Sequence, residues 1–180
     1  MWRHCFNLRG FGGEAASLGN LGNTCNSLEQ YQQAIDFCQQ SFDIAHEIGD
    51  RRGEATSLCN LGNAYQSLGK HQHAIDRQQQ SLGIAREIND RNGEADSLFN
   101  MASALAKLER PLEARESYEQ AKQIYEVLEL DFRVDQCNIA LDQISESIHR
   151  TSSRRRLQQS FWFCFLMGLA IVLLIWWLKR

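Results

Sequence analysis

The sequence predicts an all-α fold built from a repeated pair of helices. Only one of the 180 residues is proline, which argues against a turn-rich β fold. The chain also repeats itself every 40 residues: residues 13–52 and 53–92 agree at 24 of 40 positions, and residues 53–92 and 93–132 agree at 11 of 40. A period of roughly 20 to 50 residues is typical of stacked arrays in which each unit buries its apolar face against a neighbour.

Apolar residues within each repeat recur at helical spacing in two blocks separated by a short break. In the second repeat the first block is Ala55, Leu58, Leu61, Gly62, Tyr65 and Leu68, and the second block is Ala74, Ile75, Ser81, Leu82, Ala85 and Ile88. Spacings of three and four residues place each block on one side of a helix. We therefore expect three helix pairs, in residues 13–52, 53–92 and 93–132.

Short segments flank the three repeats. Residues 133–148 keep one apolar stripe and predict a single capping helix. Residues 1–12 are too short for a helix pair, so we expect an irregular N-terminal segment there. The segment contains the apolar residues Trp2, Cys5, Phe6, Leu8 and Phe11 and lacks the polarity usual in terminal repeats, which predicts weak self-association through the first repeat or marginal stability. The alternative is that the chain is a shortened relative of a longer array.

The order of small and aromatic residues resembles that of the tetratricopeptide repeat (TPR) family, in its 40-residue form. The residues that carry the resemblance are Gly62, Tyr65, Ala74 and Ser81 in the second repeat and Ala102, Ala114, Tyr118 and Ala121 in the third. Four positions depart from the family, where Cys25, Cys38, Gln78 and Leu105 replace the usual large aromatic residues. The resemblance covers residues 13–132 and implies an α-solenoid of three helix pairs plus the capping helix.

One C-terminal segment, residues 161–178, is apolar at 17 of its 18 positions and carries no charge. As a helix it is about 27 Å long, close to the roughly 30 Å of bilayer hydrocarbon. The N-terminus has no apolar stretch of signal-peptide length. We therefore expect a single transmembrane helix that anchors the chain at its C-terminal end.

Charge is divided unevenly along the chain. Residues 149–180 carry six of the 19 Lys and Arg residues and no acid, so residues 1–148 hold 13 basic against 22 acidic residues, a net charge near −9. Arg154, Arg155 and Arg156 lie in a basic link, residues 149–160, just before the apolar segment. Four arginines precede that segment and two basic residues follow it, so the positive-inside rule predicts a cytoplasmic array. The acidic body disfavours nucleic acid as a partner.

A ladder of polar residues on the first helices is the candidate binding site. Its members recur at two positions of the repeat: Asn20, Asn60 and Asn100 at one, and Asn23, Asn63 and Ser103 at the other. Resemblance to the TPR family implies that both positions line a concave groove that holds peptides. A carboxamide can donate to and accept from the backbone of an extended peptide. The alternative is that these residues are solvated or form hydrogen bonds between repeats.

Catalysis and cofactor binding have no support in the sequence. His71 and His73, the one close pair of histidines, are spaced i and i+2, so they do not share a helix face as metal ligands would. Cys25 and Cys38 occupy packing positions, and buried structural thiols are expected there. We therefore expect no catalytic residues, no metal and no cofactor.

The sequence thus predicts a membrane-anchored TPR adaptor that binds a protein or peptide partner on its concave surface. The alternative is a structural assembly or oligomerisation subunit of a membrane complex. The groove residues are neutral, so they do not identify the partner.

Overall fold

Seven helices follow one another at a regular interval in the computed structural model, which describes residues 2–150, with side chains from residue 12 onward. The first six are α1 (Trp2–Ser27), α2 (Tyr31–Glu47), α3 (Arg51–Ser67), α4 (His71–Glu87), α5 (Arg91–Lys107) and α6 (Pro111–Val127). Helix α7 begins at residue 131 and contributes residues 131–141 to the same compact unit. Residues 142–150, the described part of a second unit, are also helical. The all-α solenoid of helix pairs is confirmed.

Two boundaries differ from the sequence-based expectation. Residues 2–12 are not irregular, because α1 runs without a break from Trp2 to Ser27. No proline occurs in this stretch to stop a helix from extending toward the N-terminus. The first helices of the second and third repeats begin two residues before Gly53 and Gly93, where the side chains of Asp50 and Asp90 cap the helix by accepting from the glycine N–H at 3.0 Å.

All six connections are three residues long and share one backbone conformation. The middle residue of each has a positive φ, and these residues are Glu29, Gly49, Gly69, Asn89, Glu109 and Glu129. After α2, the N–H of Asp50 donates to the carbonyl of Ala45 at 2.8 Å, and the N–H of Gly49 donates to the carbonyl of His46 at 3.1 Å. This pair of bonds satisfies carbonyl groups at the helix end and turns the chain sharply into the next helix.

Exchanging the residues at two equivalent turn positions tests this conformation. Gly69→Glu is expected to lower the free energy of unfolding by about 1 kcal/mol, because only glycine adopts a positive φ without cost. Glu109→Gly is expected to raise it by about 0.5 kcal/mol for the same reason. A Cβ at Gly69 meets no atom within 4 Å, so the effect isolates the backbone term. Chemical denaturation measures the free energy of unfolding of both variants. If both substitutions change it by the same small amount in the same direction, the positive φ does not set the cost.

Buried serines tie each of the first two helix pairs to the next repeat. Ser41 Oγ donates to the carbonyl oxygen of Ala15 at 2.7 Å and lies 2.8 Å from Ser57 Oγ. Forty residues later, Ser81 Oγ donates to the carbonyl of Ala55 at 2.9 Å and bonds to Ser97 Oγ at 3.0 Å. At these points three helices meet too closely for larger residues. The small serine side chains fit there, and each buried hydroxyl has a hydrogen-bond partner.

The apolar stripes form the core, as the spacing predicts. Leu58, Leu61, Ala74, Ala95, Leu98 and Ala114 are all buried. The first repeat departs from this pattern, because Leu21 is 48% exposed although Leu61, the equivalent residue of the second repeat, is completely buried. Leu61 packs with residues of the first repeat, whereas no earlier helix pair among the described residues packs against α1.

The expected membrane anchor, residues 161–178, and residues 151–160 of the basic link, with Arg154, Arg155 and Arg156, lie outside the described residues. Within residues 2–150, no helix combines the length and the hydropathy that crossing a bilayer requires. The anchor therefore stays a prediction from the sequence.

Candidate partner-binding face

The first helices of the three repeats form one face of the array. Helix α3 contacts both α1 and α5 directly, in addition to the second helices that flank it in the chain. All six residues of the polar ladder lie on α1, α3 and α5. We call the surface that they share the first-helix face.

The ladder is more exposed in the first repeat than in the second and third. Asn20 and Asn23 are exposed, whereas the other four members of the ladder are half-buried: Asn60, Asn63, Asn100 and Ser103. The side chain of Asn60 approaches Gly19 of α1, since a Cβ on that glycine would lie 3.8 Å from Asn60 Nδ2. Among the described residues, the side chains of Asn20, Asn23 and Asn60 have no hydrogen-bond partner, so their amides are available to a ligand.

The remaining members of the ladder bond within the array. Asn100 Nδ2 donates to Cys59 Sγ at 3.5 Å, and Gln66 Nε2 donates to Ser103 Oγ at 2.8 Å. Both contacts join α3 to α5 and therefore fix neighbouring repeats relative to each other. The sequence left two alternatives open for the ladder, and inter-repeat bonding accounts for these two residues.

Asn63 belongs to a buried network centred on Gln78, which is fully buried at one of the positions where the family usually has an aromatic residue. Gln78 Nε2 donates to Asn63 Oδ1 and to the carbonyl oxygen of Cys59, both at 3.1 Å. The glutamine fits because Gly62 faces it: a Cβ there would lie 2.5 Å from Gln78 Nε2. Gln78 already departs from the family pattern in the sequence. Gly62, on the facing helix α3, is the sequence feature that indicates room for it there.

A buried carboxylate at each of the first two repeat junctions was missed by sequence analysis. Glu54 is 3% exposed and is held by Arg51 of its own helix and by His46 Nδ1, 3.4 Å away, at the end of α2. Glu94, its equivalent, bonds to Arg91 at 2.6 Å and to Arg86 Nε at 2.8 Å. Pairing offsets the cost of burying these charges. The sequence signal was the recurrence of Gly53-Glu54-Ala55 as Gly93-Glu94-Ala95, which keeps an acid next to the first residue of the apolar stripe.

The third junction is built differently. The positions that are Ala45 and Gly53 at the first junction, and Ala85 and Gly93 at the second, are Tyr125 and Arg133 at the third. Tyr125 OH donates to Asp96 Oδ1 at 2.6 Å, and Arg133 forms an ion pair with the same carboxylate. The Arg133 guanidinium also lies 5.0 Å from the Tyr125 ring centre and 5.3 Å from that of Phe99. Burial is the main cause that raises the pKa of the Tyr125 hydroxyl, so it stays a donor.

Buried thiols in the array are poor nucleophiles. Burial raises the pKa of Cys38, Cys59 and Cys137 to about 11, and the neighbouring Cys25 adds to the shift at Cys38. The protonated thiol is unreactive, so these residues act as small packing groups. In the part of the chain that the structure describes, no three His, Cys, Asp or Glu residues converge as a metal site would require.

Comparison with protein families identifies the class. Two family models, each described as a tetratricopeptide repeat, match residues 13–87 and residues 95–127. Both stretches of the chain, residues 13–87 and residues 95–127, are therefore tetratricopeptide repeats. No curated protein matches the sequence.

Solved structures agree on the fold. The TPR domain of Arabidopsis FLU is similar with a TM-score of 0.62 and 20% identity, over 65% of this chain and 98% of that domain. A Rap protein complexed with Competence and Sporulation Factor gives a TM-score of 0.69 at 18% identity, over 79% of this chain and 41% of that one. Aspartyl phosphate phosphatase F from Bacillus subtilis gives 0.73 at 13% identity, over 79% and 37%. The chain thus spans less than half of the last two proteins, and all three likenesses show the fold alone.

Proposed function

We propose that this protein is a membrane-anchored TPR scaffold that binds an extended segment of a partner protein along its first-helix face. The observation that carries the proposal is the set of amides on Asn20, Asn23 and Asn60, which have no partner among the described residues and lie on adjacent helices. Each can donate to a peptide carbonyl and accept from a peptide N–H. The TPR fold supports a scaffold or adaptor role rather than catalysis.

Charge on the array favours partners with basic segments. The net charge near −9 of residues 1–148 steers cationic ligands toward the array, an effect that weakens as salt is added. The carboxylate of Asp96 at the third-repeat end of the face is already paired with Arg133. No lysine or arginine belongs to the polar ladder, so a clamp for the C-terminal carboxylate of a ligand is not part of the proposal.

Replacing the three unbonded asparagines tests the proposal. The triple variant Asn20→Ala, Asn23→Ala and Asn60→Ala is expected to lose partners that co-purify with the full chain from membranes. Each amide contributes only about 0.5–1.5 kcal/mol, so the single variants should weaken capture modestly and the triple strongly. Its melting temperature should stay close to that of the wild type, because no hydrogen bond within the described array is removed.

A matched control removes the same number of amides from second helices. Gln32→Ala, Gln33→Ala and Gln72→Ala change side chains exposed on α2 and α4. This control should retain every partner. If the first-helix variant stays folded and keeps all partners, binding on this face is excluded.

Anchoring is proposed from the sequence alone and has its own test. The full chain is expected to stay in the membrane fraction after alkaline carbonate extraction, whereas deletion of residues 161–178 should release it. In sealed vesicles with the cytoplasmic side inside, the array should resist added protease, since Arg154, Arg155 and Arg156 favour that side. Release of the full chain by carbonate would contradict anchoring, and digestion in sealed vesicles would contradict the orientation.

The alternative function, an assembly subunit, is favoured by apolar side chains at the last junction. Val127 and Phe132 are 76% and 73% exposed and lie on either side of the turn between α6 and α7. A structural subunit would be a multimer in detergent and would keep its partners in the first-helix variant. A monomer that loses its partners in that variant supports the scaffold.

A further inference from the structure

A cleft opens where the second helices of the second and third repeats flank α5. It has a volume of about 290 Å³ and lies between α4 and α6, with α5 as its floor. Its apolar lining comes from Ile75 and Leu82 of α4 and from Leu98, Met101 and Leu105 of α5. Ligand pockets usually have volumes of roughly 300–1,000 Å³, and this cleft is at the lower limit of that range. It therefore suits one or two side chains of a bound segment.

The equivalent position one repeat earlier is filled by the protein itself. Phe42 and Tyr65 stand there, 40 residues before Leu82 and Leu105, and both pack against the core cluster of α1, α2 and α3. The Tyr65 ring also lies 5.4 Å from the ring of His73, which Glu113 replaces in the next repeat. The cleft is therefore the space left when aromatic side chains of one repeat become leucines and a glutamate in the next.

Some charged side chains at the rim of the cleft have a partner of opposite charge, and one does not. Arg86 bonds to Glu94 at 2.8 Å, and Arg110 bonds to Glu113 at 2.7 Å, so both cations on the lining are neutralised. Glu116, an exposed carboxylate on the lining, has no cationic partner within the described residues and accepts only a 3.4 Å bond from Gln120. The free charge at the rim is negative, so a cation beside the apolar cleft is favoured.

We propose that this cleft is a second docking site, separate from the first-helix face, for a peptide segment that carries an aromatic side chain next to a lysine or arginine. The aromatic ring takes the space that Phe42 and Tyr65 fill one repeat earlier, over Leu98 and Leu105. The basic side chain reaches Glu116. None of the residues of the polar ladder lines the cleft, so one chain holds two partner segments at separate sites.

A fluorine-labelled peptide tests the site directly. The probe is acetyl-Lys-Trp-Lys-amide with a fluorotryptophan, titrated with the full chain in detergent and followed by fluorine NMR. We expect the probe to bind saturably. Two further peptides, one with alanine in place of tryptophan and one with glutamate in place of lysine, compete with the labelled probe. Each should bind at least about tenfold more weakly than the original peptide.

Two substitutions in the lining of the cleft provide the structural test. Leu105→Tyr introduces a tyrosine, the residue that the second repeat has at the equivalent position, Tyr65. The ring should fill the cleft and weaken binding of the probe at least about tenfold. Glu116→Lys changes only an exposed side chain, keeps the fold, and should weaken binding several-fold. The Asn20, Asn23 and Asn60 triple variant should bind the probe as the wild type does. The proposal is overturned if the probe fails to bind, if Glu116→Lys leaves its affinity unchanged, or if a folded Leu105→Tyr chain binds it equally well.

Discussion

Replacing Leu61 by alanine is expected to lower the free energy of unfolding by about 3 kcal/mol. Its side chain is completely buried between helices of adjacent repeats, so truncation removes apolar contacts and leaves a cavity. The same substitution at Leu21, the equivalent residue of the first repeat, is expected to cost less than about 1 kcal/mol, because that side chain is 48% exposed. Chemical denaturation of the full chain in mild detergent measures both.

The pair also tests how the repeats depend on one another. Two residues of identical type and equivalent position differ only in whether an earlier helix pair packs against them. Nearly equal losses at Leu21 and Leu61 would mean that α1 is covered in solution, as it would be by a second copy of the chain. That result would support the self-association predicted from the sequence and contradict the exposure assigned to Leu21.

Replacing Tyr125 by alanine is expected to cost about 4 kcal/mol, the largest loss we predict. Tyr125 is fully buried, and its removal deletes a large ring and the hydroxyl that donates to Asp96. It also removes one of the two rings against which the Arg133 guanidinium lies. Circular dichroism melts of the full chain should show a lower transition temperature than that of the wild type.

Two controls separate packing from hydrogen bonding at this junction. Tyr125→Phe keeps the ring and loses only the hydroxyl bond, so it should cost about 1 kcal/mol. Arg115→Ala removes an exposed ion pair with Glu119 and should cost less than about 0.5 kcal/mol. If Tyr125→Ala destabilises no more than Tyr125→Phe, the third junction does not depend on this ring.

The helical array was predictable because its signals repeat. The 40-residue period, the apolar stripes and the single proline together indicate the number and the pairing of the helices. The connections were harder to define, since Glu29, Glu109 and Glu129 adopt a positive φ that glycine usually supplies. Helix α1 extended further than expected because the repeat pattern marks packing, not where a helix stops.

Side-chain networks at the junctions were not predictable from one repeat. Gln78 bonds to Asn63 because Gly62 leaves space, and Glu54 is buried because His46 and Arg51 converge on it. These pairings depend on distances between helices that spacing along the chain does not give. Comparing equivalent positions would have revealed the third junction, since alanine and glycine change together to Tyr125 and Arg133.

The central claim is that a partner lies along the first-helix face, and photo-crosslinking from single positions tests it most directly. A benzophenone amino acid placed at Asn23 samples that face, and one placed at Gln33 samples the exposed side of α2. After irradiation of membranes that contain the full chain, we predict a discrete partner adduct from position 23 and none from position 33. An adduct from position 33 alone would contradict the account.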